Sequence, residues 1–246
     1  MVLRHRIKHG TRYCFSHIEL IAITSISPRH AIGDAQIKAV ESWKAQGCRV
    51  ISLNTASEIS LLKDRYDIEF AEVTITTKGL YKAPYILISS FIDHARNNGY
   101  ESIMLINSDI ILRGSVSEYF SKCKQGLVFC NRTDFNRDFQ DQKLYPNGFD
   151  VFFIHSDYYD LIPHTLFAMG QTWWDYWLPY RFIMSRVQLF LVKEPIFMHE
   201  RHPVQYNAEE WHRMTRHFSW VENYLDRVRP QDINNTVFRL IQAKCK

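Results

Sequence analysis

The chain has 246 residues, is 46% hydrophobic and carries a formal net charge of +4, which supplies a sizeable core and excludes a disordered or strongly polyionic protein. No run approaches the roughly 18 apolar residues of a spanning helix, and the start, MVLRHRIKHGTRYCF, has charge without a signal-peptide apolar stretch, so a cytoplasmic protein is expected. Five scattered cysteines (Cys14, Cys48, Cys123, Cys130, Cys245) form no CxxC pair, which argues against zinc or disulfide scaffolding.

Residues 1–16 read as a basic arm, with Arg4, Arg6, Lys8 and Arg12 and no acid. Residues 213–246 are basic too, with seven basic against three acidic side chains, so the body between the ends is mildly acidic. Such ends suit an anionic partner, whether nucleic acid, a membrane surface or a phosphate-bearing acceptor; solvated termini are the simpler explanation.

HIELIAITSI (17–26) is an apolar strand pattern followed by the loop SPRH. A helix follows, with Asp34 at its start, Ile37, Val40 and Trp43 at helical spacing and Gly47 as its stop. CRVISLN (48–54) is a second strand, Ser57 caps a short helix SEISLLKDRY, and IEFAEV (68–73) is a third strand. APYILISSFIDHARNNG (83–99) reads as a helix closed by Asn-Gly, and ESIMLIN (101–107) as the fourth strand. Strands alternating with helices predict an α/β fold with a mostly parallel sheet covered on both faces, whose ligands bind beyond the carboxyl ends of the strands. Thr24 to His30, Asn54 and Asn107 to Asp109 fall on that rim.

Past residue 112 the pattern weakens. GLVFCNRTD (126–134) and FDVFFIHSD (149–157) read as strands around a polar stretch expected to be a functional or mobile loop. QTWWDYWLPYRFIMSR (171–186) reads as a helix, QLFLVKEPIFMHE (188–200) as strand and turn, and residues 208–228 as an amphipathic closing helix. No internal repeat appears, and one domain is expected over 17–246.

Asn107-Ser108-Asp109 places an amide, a hydroxyl and a carboxylate where the fourth strand turns polar. Hard divalent cations take such oxygen ligands, completing their shell with water and phosphate oxygens; strand-end turn chemistry also explains the three residues. The chain order of strand, SPRH loop, helix, strand ending in Asn54, strand, helix and IMLINSDI resembles the nucleotide-sugar half of glycosyltransferases of the GT-A fold, over residues 17–112. The resemblance implies a nucleoside-diphosphate sugar donor, UDP-sugar first, bound by Thr24, Ser25, Asn54, Asn107, Ser108 and Asp109, and it makes Asp109 a ligand of Mn²⁺ or Mg²⁺. The first Asp of that family's Asp-x-Asp motif is Asn107 here, which predicts a weakened metal site and makes Arg29, Lys82 and Arg113 candidates for the diphosphate.

The resemblance further implies an acceptor half, 113–207, before a C-terminal helix and tail, 208–246. In MGQTWWDYW, Asp175 takes the place of a general base if transfer inverts, and Trp173 and Trp174 offer flat faces to a sugar or base; a helix-start charge beside core tryptophans is the alternative. His199, closing an apolar strand, takes the place of the family's late metal ligand, with Arg201 and His202 as diphosphate contacts. Asp150 could hold sugar hydroxyls, whereas Asp157 and Asp160 read as surface turns. The expected acceptor is a saccharide or glycan hydroxyl or, less directly, a modified DNA base, with peripheral membrane contact open. No GxxxxGK[ST], GxGxxG or GxSxG motif occurs, which removes P-loop, dinucleotide and serine-hydrolase chemistry. A nucleotidyltransferase and a non-enzymatic nucleic-acid-binding protein remain as alternatives.

Overall fold

Strands covered on both faces must be apolar at successive positions. β1 (Ile21–Thr24), β2 (Arg49–Asn54), β3 (Glu69–Glu72) and β4 (Ser102–Ile106) form a parallel block in the order β3-β2-β1-β4. β1 and most of β2 and β4 are apolar in this way, whereas the edge strand β3 (EFAE) is only half-buried. In β4, Ile103 and Leu105 enter one core while Met104 and Ile106 enter the other, the period-two alternation of a strand. α1 (Gly33–Ala45) covers the second face with Ala39, Val40 and Trp43, and α3 (Ile88–Asn97) covers the first with Phe91, Ile92 and Ala95. The structure, a computed structural model, describes residues 19–28, 33–81, 84–202, 208–223 and 230–245. The basic arm, Arg29, His30 and Lys82 lie outside them.

The second half holds, in order, β5 (Ile110–Leu112), α4 (Ser117–Lys122), β6 (Leu127–Asn136), β7 (Gln140–His155), α5 (Trp174–Met184), β8 (Leu189–Val192), β9 (Phe197–Glu200), α6 (Ala208–Val221) and α7 (Pro230–Lys244). It mixes directions: β7 and β5 run against the first block, while β6, β8 and β9 run with it. β7 pairs antiparallel with β4, so the sheet runs on as β4-β7-β6-β9-β5, with β8 beside β6; nine strands are paired among the described residues. α5, α6 and α7 close the first face through Trp177, Phe218 and Val237. The expected fold class, α/β with a mostly parallel central sheet in the GT-A-like manner, is the one observed.

Several elements differ from expectation. The polar stretch after residue 130 is no loop: β6 and β7 continue through it as a two-stranded ribbon, exposed from Gln140 to Asn147 and so mostly polar, with Leu144 and Tyr145 as exposed exceptions. Backbone pairing, a Phe135–Phe139 ring stack at 4.4 Å and bonds from Arg201 to Asn136 (3.2 Å) and to the Asp141 carbonyl (2.9 Å) hold it. α2 (Ala56–Leu62) is capped by Thr55, in a reciprocal capping box with Glu58, and not by Ser57. The helix expected from residue 83 starts at Ile88, because Ile86 and Leu87 bridge Thr76 and Ala168 as extended chain. The 188–200 segment divides into β8 and β9, and the closing helix ends at Val221, with α7 as a further helix the sequence reading missed.

Candidate functional site

The site is built where β4 ends. The Asn107 N–H donates to the Asp150 carbonyl (3.0 Å) and the Ile110 N–H to the Asn107 carbonyl (3.3 Å), which turns the chain and lifts Asp109 off the sheet. β5 then pairs with β9, Ile110 facing His199, and β9 pairs with β6, His199 facing Asp134. Register therefore sets Asp134 beside His199 and brings Asp109, the residue before Ile110, close to His199. Asp109 Oδ2 lies 3.6 Å from His199 Nε2 and 3.3 Å from His202 Nε2, and the two imidazole nitrogens are 3.2 Å apart. The other His199 nitrogen, Nδ1, meets Asp134 Oδ1 at 3.0 Å.

A carboxylate–histidine pair of that kind orients the ring and turns Nε2 toward Asp109, as outer partners of metal-ligating histidines do. The donor set fits a divalent cation. All three ligand atoms lie within 4.8 Å of one another, and the 3.2–3.6 Å edges are close to the roughly 3.0–3.4 Å between neighbouring ligands when metal–ligand bonds are about 2.1 Å. Two imidazoles and one carboxylate favour Mn²⁺ and other first-row ions over Mg²⁺, which prefers oxygen.

Beside this cluster lies a second layer. Arg132 and Asp134, two apart on β6, share a face. The Arg132 Nε donates to Asp134 Oδ1 and its Nη1 to Asp150 Oδ2, each at 2.9 Å. Asp150 sits at a bulge: Val151 pairs with Cys130 and Phe149 with Asn131, leaving Asp150 as the extra residue, re-aimed toward the rim. Its Oδ1 accepts from the Asn107 amide at 2.6 Å.

Burial would raise the Asp109 carboxyl, but His199 and His202 hold it well below the ordinary carboxylate range. Burial would lower His199, but Asp109 and Asp134 push it up to about 9. The cluster thus attracts positive charge strongly enough to protonate an imidazole.

Asp175 is of opposite character. Burial and the Asp150 charge raise its carboxyl to about 8, against the N–H groups of Asp175 and Tyr176 at the start of α5. The segment before it is strained: Gly170 and the non-glycine Trp173 both adopt a left-handed φ of 80°. It also carries buried polar atoms without partners, namely the Gln171 amide, the Thr172 hydroxyl and the Trp173 indole N–H. Orphaned polar atoms in consecutive residues beside a carboxyl that titrates near neutrality are an arrangement a hydroxyl-bearing ligand would satisfy.

Some expected contacts are placed elsewhere. Thr24 and Asn54 are both 0% exposed. Thr24 points at the Met169 sulfur, and Asn54 bonds to Ser52, Glu58 and the Ile26 carbonyl, so both build the rim. Ser25 is half-buried on that rim. Ser108 is held by buried Gln36, whose amide also bridges the Ser27 backbone. Trp173 and Trp174 are 3% and 2% exposed. Their faces pack on Tyr176, Trp211, Phe218 and Phe152, which leaves none for stacking on a sugar. Exposed Arg113 lies 4.5 Å over the Phe139 ring. Arg132, Asp134 and the Gln171–Thr172 pair were absent from the sequence reading, whereas His202 was expected at the diphosphate and lies with the metal-type ligands.

No family model matches the chain, and no curated protein sequence matches it. Solved structures do, 207 chains in all. TarS of S. aureus superposes with a TM-score of 0.51 at 7% identity, over 92% of this chain and 43% of that one. The chain thus spans less than half of the TarS chain. A Bacillus anthracis protein described as a glucose-1-phosphate thymidylyltransferase, in complex with sucrose, gives a TM-score of 0.40 at 11% identity, over 72% of this chain and 87% of that one. At these identities the likeness is one of fold. Among the described residues no helix is long and apolar enough to cross a membrane.

Proposed function

We propose that the chain is a GT-A-like glycosyltransferase that moves a sugar from a nucleoside-diphosphate sugar to an acceptor hydroxyl with inversion at the anomeric carbon. The observation that carries this reading is the convergence of Asp109, His199 and His202 at the end of β4, with Asp175 near enough to feel the charge of Asp150. Asp109, His199 and His202 would hold the divalent cation, Mn²⁺ before Mg²⁺. That cation, when bound, offsets the negative charge of the diphosphate.

Asp175 takes the proton of the acceptor hydroxyl as its oxygen attacks the anomeric carbon. The bond to the diphosphate breaks, and the nucleoside diphosphate leaves with the bonding pair; no protein nucleophile is required. A base whose carboxyl titrates near 8 is ionised in about a tenth of molecules at pH 7, yet it accepts a proton more readily than an ordinary carboxylate once ionised. Gln171 and Thr172 would orient the acceptor hydroxyls. Asp150, already bonded to Asn107 and Arg132, would act on the sugar through its remaining lone pairs. A saccharide hydroxyl is the acceptor proposed, met by the polar side chains of Gln171 and Thr172 and not by an aromatic face, since both tryptophans are buried.

The test is incubation with a mixed nucleotide-sugar pool, UDP-sugars included, and candidate acceptors with Mn²⁺, followed by mass spectrometry. A glycosylated product with a released nucleoside diphosphate is expected. Pyrophosphate release instead would assign the chain to nucleotidyl transfer, and an unchanged pool under all conditions would defeat the enzymatic reading.

A further inference from the structure

We propose that Arg132 is a positioning residue that braces both ligand-bearing arms of the cation site, an inference that rests on the cation reading of Asp109, His199 and His202. One planar guanidinium reaches two carboxylates. Through Nε it holds Asp134 at 2.9 Å, and the same Asp134 oxygen holds His199 Nδ1 at 3.0 Å. Through Nη1 it holds Asp150 at 2.9 Å, and Asp150 holds Asn107 twice, by side chain at 2.6 Å and by its backbone carbonyl at 3.0 Å. Asn107 begins the turn that carries Asp109. The two chains of bonds end on the two sides of the cation cluster and share only Arg132.

The surroundings suit that role. Tyr145 pairs with Arg132 across the ribbon and stacks its ring 4.7 Å from the guanidinium, which fixes the plane of the fork. The side chains of Arg132, Asp134 and Asp150 are 19%, 17% and 9% exposed, so water competes little for these bonds. A lysine would supply the charge but not two donors at a fixed angle. The same chain explains Asn107 where an aspartate would resemble the Asp-x-Asp pattern: an amide can donate to Asp150 at 2.6 Å, whereas a second carboxylate would repel it.

An ion pair that only stiffened the ribbon would add stability without touching the cluster, and the test separates the two roles. Mn²⁺ alone is titrated into the full-length wild type, Arg132→Met and Arg132→Lys and followed by water-proton relaxation. Amide hydrogen exchange is read in parallel on peptides covering 105–112, 197–202 and the ribbon. Loss of an outer partner of a metal ligand costs about 10–100-fold in affinity. That loss is expected for Arg132→Met, and about a tenfold loss for Arg132→Lys, which keeps the buried charge if the methionine variant fails to fold. Exchange is expected to quicken in both 105–112 and 197–202. Wild-type Mn²⁺ affinity in a folded variant, or faster exchange confined to the ribbon, overturns the proposal. Should the wild type itself bind no Mn²⁺, the cation reading fails, while the exchange pattern still decides whether Arg132 braces both arms.

Discussion

The parallel block and the mixed second half both present polar residues at the rim, and they spend them differently. At the ends of β1 and β2, Thr24, Ser52 and Asn54 are wholly buried: Ser52 and Asn54 bond to each other and to the Ile26 backbone, Asn54 also to Glu58, and Thr24 meets the Met169 sulfur. At the exit of β4 and on β6, β7 and β9, Asp109, Arg132, Asp134, Asp150 and His199 are charged or titratable, Asp150 and His199 buried and the other three half-buried. Neutral groups that satisfy each other hold shape; a surplus of carboxylates over cations invites a ligand. Replacing residues of the first kind is therefore expected to change stability, and replacing residues of the second to change binding and rate.

The largest contrast lies between Asp109 and Asn54. Asp109→Ala is expected to lower transfer by at least about a thousandfold, since loss of an electrostatic group at the reacting centre costs on that order. Its melting temperature is expected to fall modestly, because a carboxylate that His199 and His202 hold below its ordinary range contributes stability to the fold at neutral pH. Asn54→Ala is expected to leave kcat within about twofold and to cost about 1–3 kcal/mol, the penalty for leaving buried partners unsatisfied. Chemical denaturation and initial rates on the same preparations read both. Catalytic collapse in Asn54→Ala with an unchanged denaturation midpoint would return Asn54 to the ligand-contacting group.

Next comes Asp175, expected to lose about 10²–10⁴-fold in kcat on change to Asn, the usual contribution of a general base. With its carboxyl raised to about 8, the acid limb of the wild-type profile should climb tenfold per pH unit up to that value and then level. The same shift carries a stability sign. A group whose folded value lies above its unfolded one favours the fold fully below the unfolded value, near 3.8, and that contribution is lost as pH rises through about 8. Wild-type stability is expected to decline over this interval, and Asp175→Asn to flatten the decline. A pH–rate profile flat from 6 to 9 in the wild type would falsify the assignment of the base.

The two halves also differed in how far their sequence could be read. β1 to β4 and α1 were legible because continuous apolar runs and helical spacing are local signals, and the rim followed from where each run turned polar. What a polar strand end faces is not local. Asn54 and Asp109 look alike on that criterion, yet one is enclosed by Ser52 and Glu58 and the other opens toward His199 and His202. Arg132 and Asp134 fell inside a strand the sequence shows, but their roles were hidden because their partners lie 18 and 65 residues away, set by strand register and a bulge at Asp150. The tryptophans before Asp175 were misplaced for a related reason: an aromatic pair beside a glycine fits a stacking platform and a core equally, and burial alone chooses.

Ser108 stands between the two classes, and its expected effect is the smallest. It belongs to the turn that carries Asp109, but its hydroxyl is 2.7 Å from the amide oxygen of Gln36, which is itself 0% exposed and tied to the Ser27 backbone. That bond links α1 to the turn across 72 residues, so Ser108 behaves as a member of the shape-holding group. Ser108→Ala is expected to cost about 0.5–1.5 kcal/mol, the net worth of one such bond, with the KM for the donor unchanged within about twofold. A tenfold rise in KM at unchanged stability would move Ser108 into the ligand-facing group. The boundary between the two kinds of polar residue would then fall inside the turn, between Asn107 and Ser108, rather than between Ser108 and Asp109.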